Sequence, residues 1–532
     1  MATTLISYLA TYGTKVIFGY PGAVILSIMD ELYNHPSISF YVPRTEQGGS
    51  FMAEGYAKAG RKIGIILTSS GPGAINILTS ISNACRDGTP LLALTGQVSI
   101  EQLGTQSFQE IDIIHMSSLC TKWNKMITST DQLLESLHLA IYHACNRCPG
   151  PVLLSLPSSV MSCPSEKITS IHSYNEIDTE PAIDPGQLIY FLQYAKRPLF
   201  IVGQGVLHDG IEAIHLLRKL SLHYLIPVTS TLLGMGIMDE THFLSLKMMG
   251  MYGTLASNQA ILTSDVIVAF GCRLDERAIR SIPSTTIFIH INYEESSRCK
   301  TKWFIKSSCL DILRLLPLDE PRPHTQWLEQ IQEWKIPMHV KSDILQGRDV
   351  LIELNRLMYT TFSSQKFIIV SDVGSHQMWT AQYIEYNHDR IRFMTSGGMG
   401  VMGYALPASI GASIACPDWT VICICGDAGF FMSMTEIYTA VTYSIPIKLI
   451  VINNQCQLMI KHQQTKQYQQ RYIGIDTPSY SIDTLIQNMG CTCLRCDSKD
   501  QVNTTLQTLL CDTNICAVNY LTSSDEPCDI TW

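Results

Sequence analysis

Residues 421–459 read VICICGDAGFFMSMTEIYTAVTYSIPIKLIVINNQCQLM. The apolar run 421–425 has the length of a buried strand, GDAG at 426–429 breaks it, and helical spacing resumes through Ile437, Ala440 and Val441. After Pro446 a second apolar run, 447–452, ends at Asn453 and Asn454. In a parallel α/β layer both strands would end on one edge of the sheet, where open sheets hold their ligands, so Asp427 and Asn454 are expected to face each other across a crevice. A carboxylate, an amide oxygen and a nearby backbone carbonyl are three hard oxygen donors. Magnesium takes six and keeps phosphate oxygens and water for the rest, so the pattern suits a Mg²⁺-diphosphate. Gly426 and Gly429 allow close backbone approach, and the helix that follows would point its positive end at the phosphates. Taken alone, the stretch reads as well as a strand, turn and helix whose Asp427 caps the helix.

A length of 532 residues implies about three domains. With 46% hydrophobic and 16% charged residues, the chain should bury large cores and hide further surface between subunits. A net charge of −9 argues against a nucleic-acid partner, whose phosphates are bound by clustered Lys and Arg. No apolar run reaches the roughly 18 residues that span a bilayer. The opening MATTLISYLATYGTKVIFGYPG reads as folded sequence, neither signal nor transit peptide, so a cytoplasmic location is expected. The 18 cysteines are scattered through apolar segments and read as reduced and mostly buried. Cys491, Cys493 and Cys496 have no fourth partner at zinc-site spacing.

Along the chain, Ile25, Ile28, Met29 and Leu32 recur at helical spacing, and Glu46 opens a helix bounded by Gly60. The strand-like run 63–67 leads into SSGPG at 69–73 and another helix, repeating the plan around Asp427. Strand-like runs at 199–202, 266–270 and 286–291 alternate with helical stretches, and 367–370 is a further buried strand. The expected fold class is α/β, with three doubly wound parallel-sheet domains at 1–164, 185–316 and 350–532. Linkers are expected at 177–185 and, with some helix, at 317–349.

GDAG followed by NN, together with DVGSHQMW at 372–379, TSGGMGVMG at 395–403, FGYPG at 18–22 and EQG at 46–48, resembles the catalytic subunit of acetolactate synthase, a thiamine-diphosphate-dependent family, over nearly the whole chain. The resemblance makes the three domains pyrimidine-binding, central and diphosphate-binding. It implies thiamine diphosphate and Mg²⁺ as cofactors, the metal held by Asp427, Asn454 and Cys456. Glu46 would touch the pyrimidine N1′, Gly400 would accept from the 4′-amino group, and Met402 would wedge the cofactor into its bent shape. Phe108 and Gln109 would stand beside the substrate. Tyr20, Pro21, Pro72, Asn76, Val373, Gly374, His376, Ala428, Gly429 and Met459 complete the cofactor-binding positions. The implied reaction decarboxylates pyruvate and joins the remainder to a second 2-oxo acid. The site would lie between two chains of a homodimer or homotetramer, and a regulatory subunit stays open.

GQG at 203–205 and GCRLDER at 271–277 read by themselves as weak dinucleotide-type turns; the resemblance also implies FAD in this central domain, where KMMGMYG at 247–253 resembles the flavin-contacting loop. There Tyr252 replaces a histidine, and Asn292 stands where an aspartate is expected near the ribose. Near the reacting centre, Ser158 replaces a lysine, Ala23 a glycine, Leu458 a glycine and Gln463 a tryptophan. The closing tail of the family is not expected beyond Trp532. These departures leave room for a decarboxylase or carboligase with another acceptor, or for a cofactor-binding but inactive paralogue.

Overall fold

Three six-stranded sheets, parallel throughout, carry the chain in the computed structural model. It describes residues 1–164, 185–296, 299–316, 324–335, 342–477 and 480–527. The linker expected at 177–185 lies outside these but for its last residue, as do parts of 317–349 and the chain end at Trp532.

The first sheet holds β1 (Val16–Gly19), β2 (Ser39–Tyr41), β3 (Gly64–Thr68), β4 (Leu91–Gln97), β5 (Trp123–Met126) and β6 (Pro151–Pro157), ordered β2-β1-β3-β4-β6-β5. The central sheet holds β7 (Pro198–Val202), β8 (Val228–Ser230), β9 (Ser245–Met248), β10 (Val266–Phe270), β11 (Ile287–Asn292) and β12 (Trp303–Lys306). Its order, β12-β11-β10-β7-β8-β9, runs outward in both directions from β7 and is that of a dinucleotide-binding fold. The third sheet holds β13 (Phe367–Ser371), β14 (Ile391–Thr395), β15 (Thr420–Gly426), β16 (Ile447–Asn453), β17 (Thr492–Cys496) and β18 (Cys516–Leu521). Its order, β14-β13-β15-β16-β18-β17, repeats that of the first sheet. Both switch direction between the first and third strands of the domain, the point at which such sheets open a ligand crevice.

Central strands such as β3, β4, β7, β10 and β13 are buried along their whole length, because helices cover both faces. That burial is why they read as short continuous apolar runs. Trp327 and Ile331, on the helix Thr325–Trp334, pack into a core of the central domain, and Trp327 Nε1 donates to the Pro198 carbonyl at 3.0 Å.

First and third domains share one core. Phe51 and Met52, on the helix Glu46–Gly60, cluster with Leu406 and Ile410 on the helix Ala405–Ala415. Glycines let these helices touch backbone to backbone. A Cβ added at Gly55 would stand 2.0 Å from the Ala408 carbonyl oxygen, and one at Gly411 would stand 1.8 Å from that of Met52. No side chain fits either position without moving a helix.

Candidate active site

The register of β15 with β16 pairs Gly426 with Ile452, so Asp427 and Asn454 leave adjacent strands at the same edge. β13 lies on the other side of β15, and Val373, Gly374 and His376 follow it. Asp427 opens the helix Asp427–Ser433 and is 3% exposed. Its Oδ1 accepts the Ala428 N–H at 2.9 Å, while Oδ2 is buried without a partner. Burial pushes this carboxyl up to about 6. Gln455, at φ 54°, turns the chain back so that the Asn454 side-chain oxygen accepts the Cys456 N–H at 3.1 Å.

A second partnerless atom belongs to a ring that packs on the same turn. His376 is 7% exposed with its Nε2 unpaired, and its ring stands 3.2 Å from where a Cβ on Gly426 would be. Burial holds it neutral by pulling it down to about 4. Gly374, at φ 149°, begins the helix that carries it, and Gly374 too would bring a Cβ to 3.0 Å from the ring. An unpaired carboxylate oxygen and an unpaired imidazole nitrogen beside a glycine turn are the groups that a cation and an anion would satisfy together. Among the described residues no cluster of three His, Cys, Asp or Glu could hold a metal. The side-chain oxygens that Asp427 and Asn454 bring to this edge are hard donors of the kind Mg²⁺ takes.

Past β14, Gly400 (φ 66°) and Gly403 (φ 81°) bracket Met402, which is half-buried. Asp372 fixes this loop from beneath: its Oδ1 accepts the N–H of Val373 at 2.7 Å and of Gly403 at 3.0 Å, and its Oδ2 that of Ala405 at 3.1 Å. Gly429 packs over the Asp372 carboxyl, and Val373 lies nearest to Gly400. Met459, on the helix Leu458–Gln467, meets the Tyr252 hydroxyl of the central domain at 3.5 Å.

The remaining site residues gather at the matching edge of the first sheet. Tyr20 and Pro21 follow β1, Glu46 begins the helix after β2, Pro72 and Asn76 follow β3, and Phe108 and Gln109 follow β4. Asn76 Nδ2 donates to Glu46 Oε2 at 3.1 Å, and Glu46 Oε1 stands 3.4 Å from where a Cβ on Gly73 would be. Gln109, at φ 62°, presses against Gly71, while Phe108 is 88% exposed.

Three features were missed in the sequence. Glu436 is buried in a short 3₁₀ turn that interrupts the helical pattern after Asp427. It accepts the backbone N–H groups of Arg44 and Thr45, docking the start of the Glu46 helix on the third domain. Asp372 was read only as part of a motif. Lys58 bridges Glu54 and Asp87 at 2.8 Å each and donates to the Thr395 carbonyl, while Asp87 accepts from Gly397 and Gly398. The Glu54 to Lys58 spacing of one helical turn was the available signal.

Two edges of this kind define a class of enzyme, and family models match all three domains. Residues 1–116 match the thiamine pyrophosphate enzyme N-terminal TPP binding domain, 186–315 the central domain, and 372–519 the C-terminal TPP binding domain. Within that class the chain belongs to the acetolactate synthase catalytic-subunit family. It is 35% identical over 539 residues to the acetolactate synthase catalytic subunit, mitochondrial, of Aspergillus candidus, covering 94% of this chain and 77% of that one. It is 35% identical to the acetolactate synthase large subunit of Lactococcus lactis, over 86% of this chain and 81% of the relative. Isozyme 2 large subunit of Escherichia coli is 31% identical over 96% and 93%.

Proposed function

We propose that the protein is a thiamine-diphosphate- and Mg²⁺-dependent carboligase that decarboxylates pyruvate and joins the two-carbon remainder to a second 2-oxo acid, giving an acetohydroxy acid. The observation that carries this reading is the pair of buried partnerless atoms, Asp427 Oδ2 and His376 Nε2, at the third-sheet switch point. When bound, thiamine diphosphate supplies the electron sink that a 2-oxo acid lacks when its carboxylate leaves as CO₂. Asp427, Asn454 and the Cys456 carbonyl would hold the metal, with Gly374, His376, Ala428 and Gly429 around the diphosphate. Glu46, oriented by Asn76, would hold the pyrimidine N1′ and favour proton removal at the amino group. The Gly400 carbonyl would receive that group, and Met402 would keep the rings bent. Phe108 and Gln109 would shield the reacting carbons from water, which favours ligation over simple protonation.

The two edges would meet between chains. In a single chain Tyr20, Ile75 and Phe108 at one edge and Met399 and Met432 at the other are exposed apolar side chains, which a homodimer would cover. FAD fits less well. Asn292, where a carboxylate would hold the ribose hydroxyls, donates its amide to the Cys272 carbonyl at 3.1 Å, and Arg273 bonds back to the Arg86 carbonyl. Among the described residues no helix is long and apolar enough to cross a membrane, and every described cysteine is free. A reducing location such as the cytoplasm is part of the proposal.

Pyruvate with thiamine diphosphate and Mg²⁺ should yield acetolactate, read by product chromatography. Acetaldehyde as the sole product would replace this reading with the decarboxylase. Leu458, buried where the family has glycine, and exposed Gln463, where it has tryptophan, favour that second reading. Adding 2-oxobutyrate then reports acceptor choice.

A further inference from the structure

Where the three domains meet, a cavity of about 480 Å³ opens between the end of the Glu46–Gly60 helix, the helix Gln204–His208 and β14. Its charge is one-sided. Lys15, Lys58, Arg61, Lys62 and Arg392 line it with His208 and His388, and no Asp or Glu is among the lining residues. Lys58 is neutralised by Glu54 and Asp87. The carboxylate whose charge reaches both arginines, Asp389, is held by Arg218 at 2.5 Å. Arg61 instead meets the His388 Nε2, and Arg392 gives its Nε to the His388 carbonyl and its Nη1 to the Ala59 carbonyl while stacking 4.0 Å over Trp419, which leaves its Nη2 for a ligand. Burial and the surrounding cations hold His388 down to about 2 and His208 down to about 4, and Arg61 is lowered by burial and by Arg392. Crowding guanidinium and ammonium groups around a pocket without counter-charge is unfavourable unless an anion offsets it.

We propose that this cavity binds a small phosphate-bearing anion. Arg61, Lys62 and Arg392 supply the charged donors, of which the guanidinium forks suit phosphate oxygens. Leu207, Leu233 and Met235 line the same cavity and give apolar room for an organic body beyond the phosphate. The volume is that of a small-ligand site. The cavity is separate from both cofactor edges but shares β14 with one of them. Arg392 and Thr395 line it, and β14 runs directly into the loop that carries Gly400 and Met402.

The test uses the full chain loaded with thiamine diphosphate and Mg²⁺, titrated by calorimetry with inorganic phosphate and with phenyl phosphate. One saturable site per chain is expected. Arg61→Gln and Lys62→Gln, both at an exposed turn outside the catalytic machinery, should each weaken it about tenfold or more. Tighter binding of phenyl phosphate assigns the site to a phosphate ester, and equal binding assigns it to free phosphate. A second measurement needs no variant: either probe should slow alkylation of Cys145, which lines the cavity, and leave exposed Cys511 unaffected. Absence of saturable binding with Cys145 unprotected overturns the proposal, as does binding that both substitutions leave unchanged.

Discussion

Past the strand ends of the first sheet, Pro72, Asn76 and Phe108 are exposed and Glu46 is half-buried. Past the equivalent ends of the third sheet, Asp372, His376 and Asp427 are buried, and two of them keep an unpaired polar atom. One strand order thus buries its polar side chains in one copy and leaves them largely open in the other. Under the proposed function the difference matches what each copy would grip. A metal and diphosphate need desolvated, convergent donors, whereas a flat ring held by one carboxylate can rest on a surface that a second chain closes.

The strongest way to break this comparison is Asp427→Ala. Turnover of any 2-oxo acid should fall about a thousandfold, the several kcal/mol that a lost cation is worth in the transition state. Calorimetry should show Mg²⁺-dependent cofactor binding lost as well; binding that persists would mean the third-sheet edge is not the metal site. On the other copy, Glu46→Gln should lower turnover about a hundredfold while changing cofactor affinity far less, since it removes a proton-handling group and not a phosphate anchor. Equal losses in both variants would erase the division of labour.

The joint between the copies comes next. Gly411→Ala would force a methyl against the Met52 carbonyl and should cost about 1–3 kcal/mol, read from urea unfolding. An unchanged midpoint would mean the helices part without penalty. The last effect, absent at neutral pH, belongs to His376, folded near 4 against an ordinary 6.5. Its neutral burial contributes stability that is complete above about 6.5 and lost as pH falls towards about 4, by up to about 1.4 kcal/mol per pH unit. In protein stripped of cofactor, His376→Gln should flatten that part of the unfolding profile relative to the parent chain, and parallel profiles would count against a neutral buried imidazole.

Strands such as β10 and β15 were legible because continuous burial writes itself as short apolar runs, and the turn after each was marked by glycine. β8 (VTS), β9 (SLKM) and β14 (IRFMT) carry no continuous apolar run. The site residues were legible where a motif joins them in sequence, as with DVGSH or GDAG. Contacts between distant segments were not: Glu436 to Arg44, Lys58 to Thr395 and Gly411 to Met52 each depend on how two domains dock, which no local pattern encodes. Hindsight supplies one clue, the run of small residues at Ala408, Gly411, Ala412 and Ala415, which permits close helix approach.

The loop after β14 is fastened at both ends, by Asp87 to Gly397 and Gly398 and by Asp372 to Gly403 and Ala405. Such a loop has little freedom left to surrender when a guest arrives. Loading should therefore carry a modest entropic penalty and a heat-capacity change no larger than the surface covered requires, unlike recognition that proceeds by folding a disordered segment around its target.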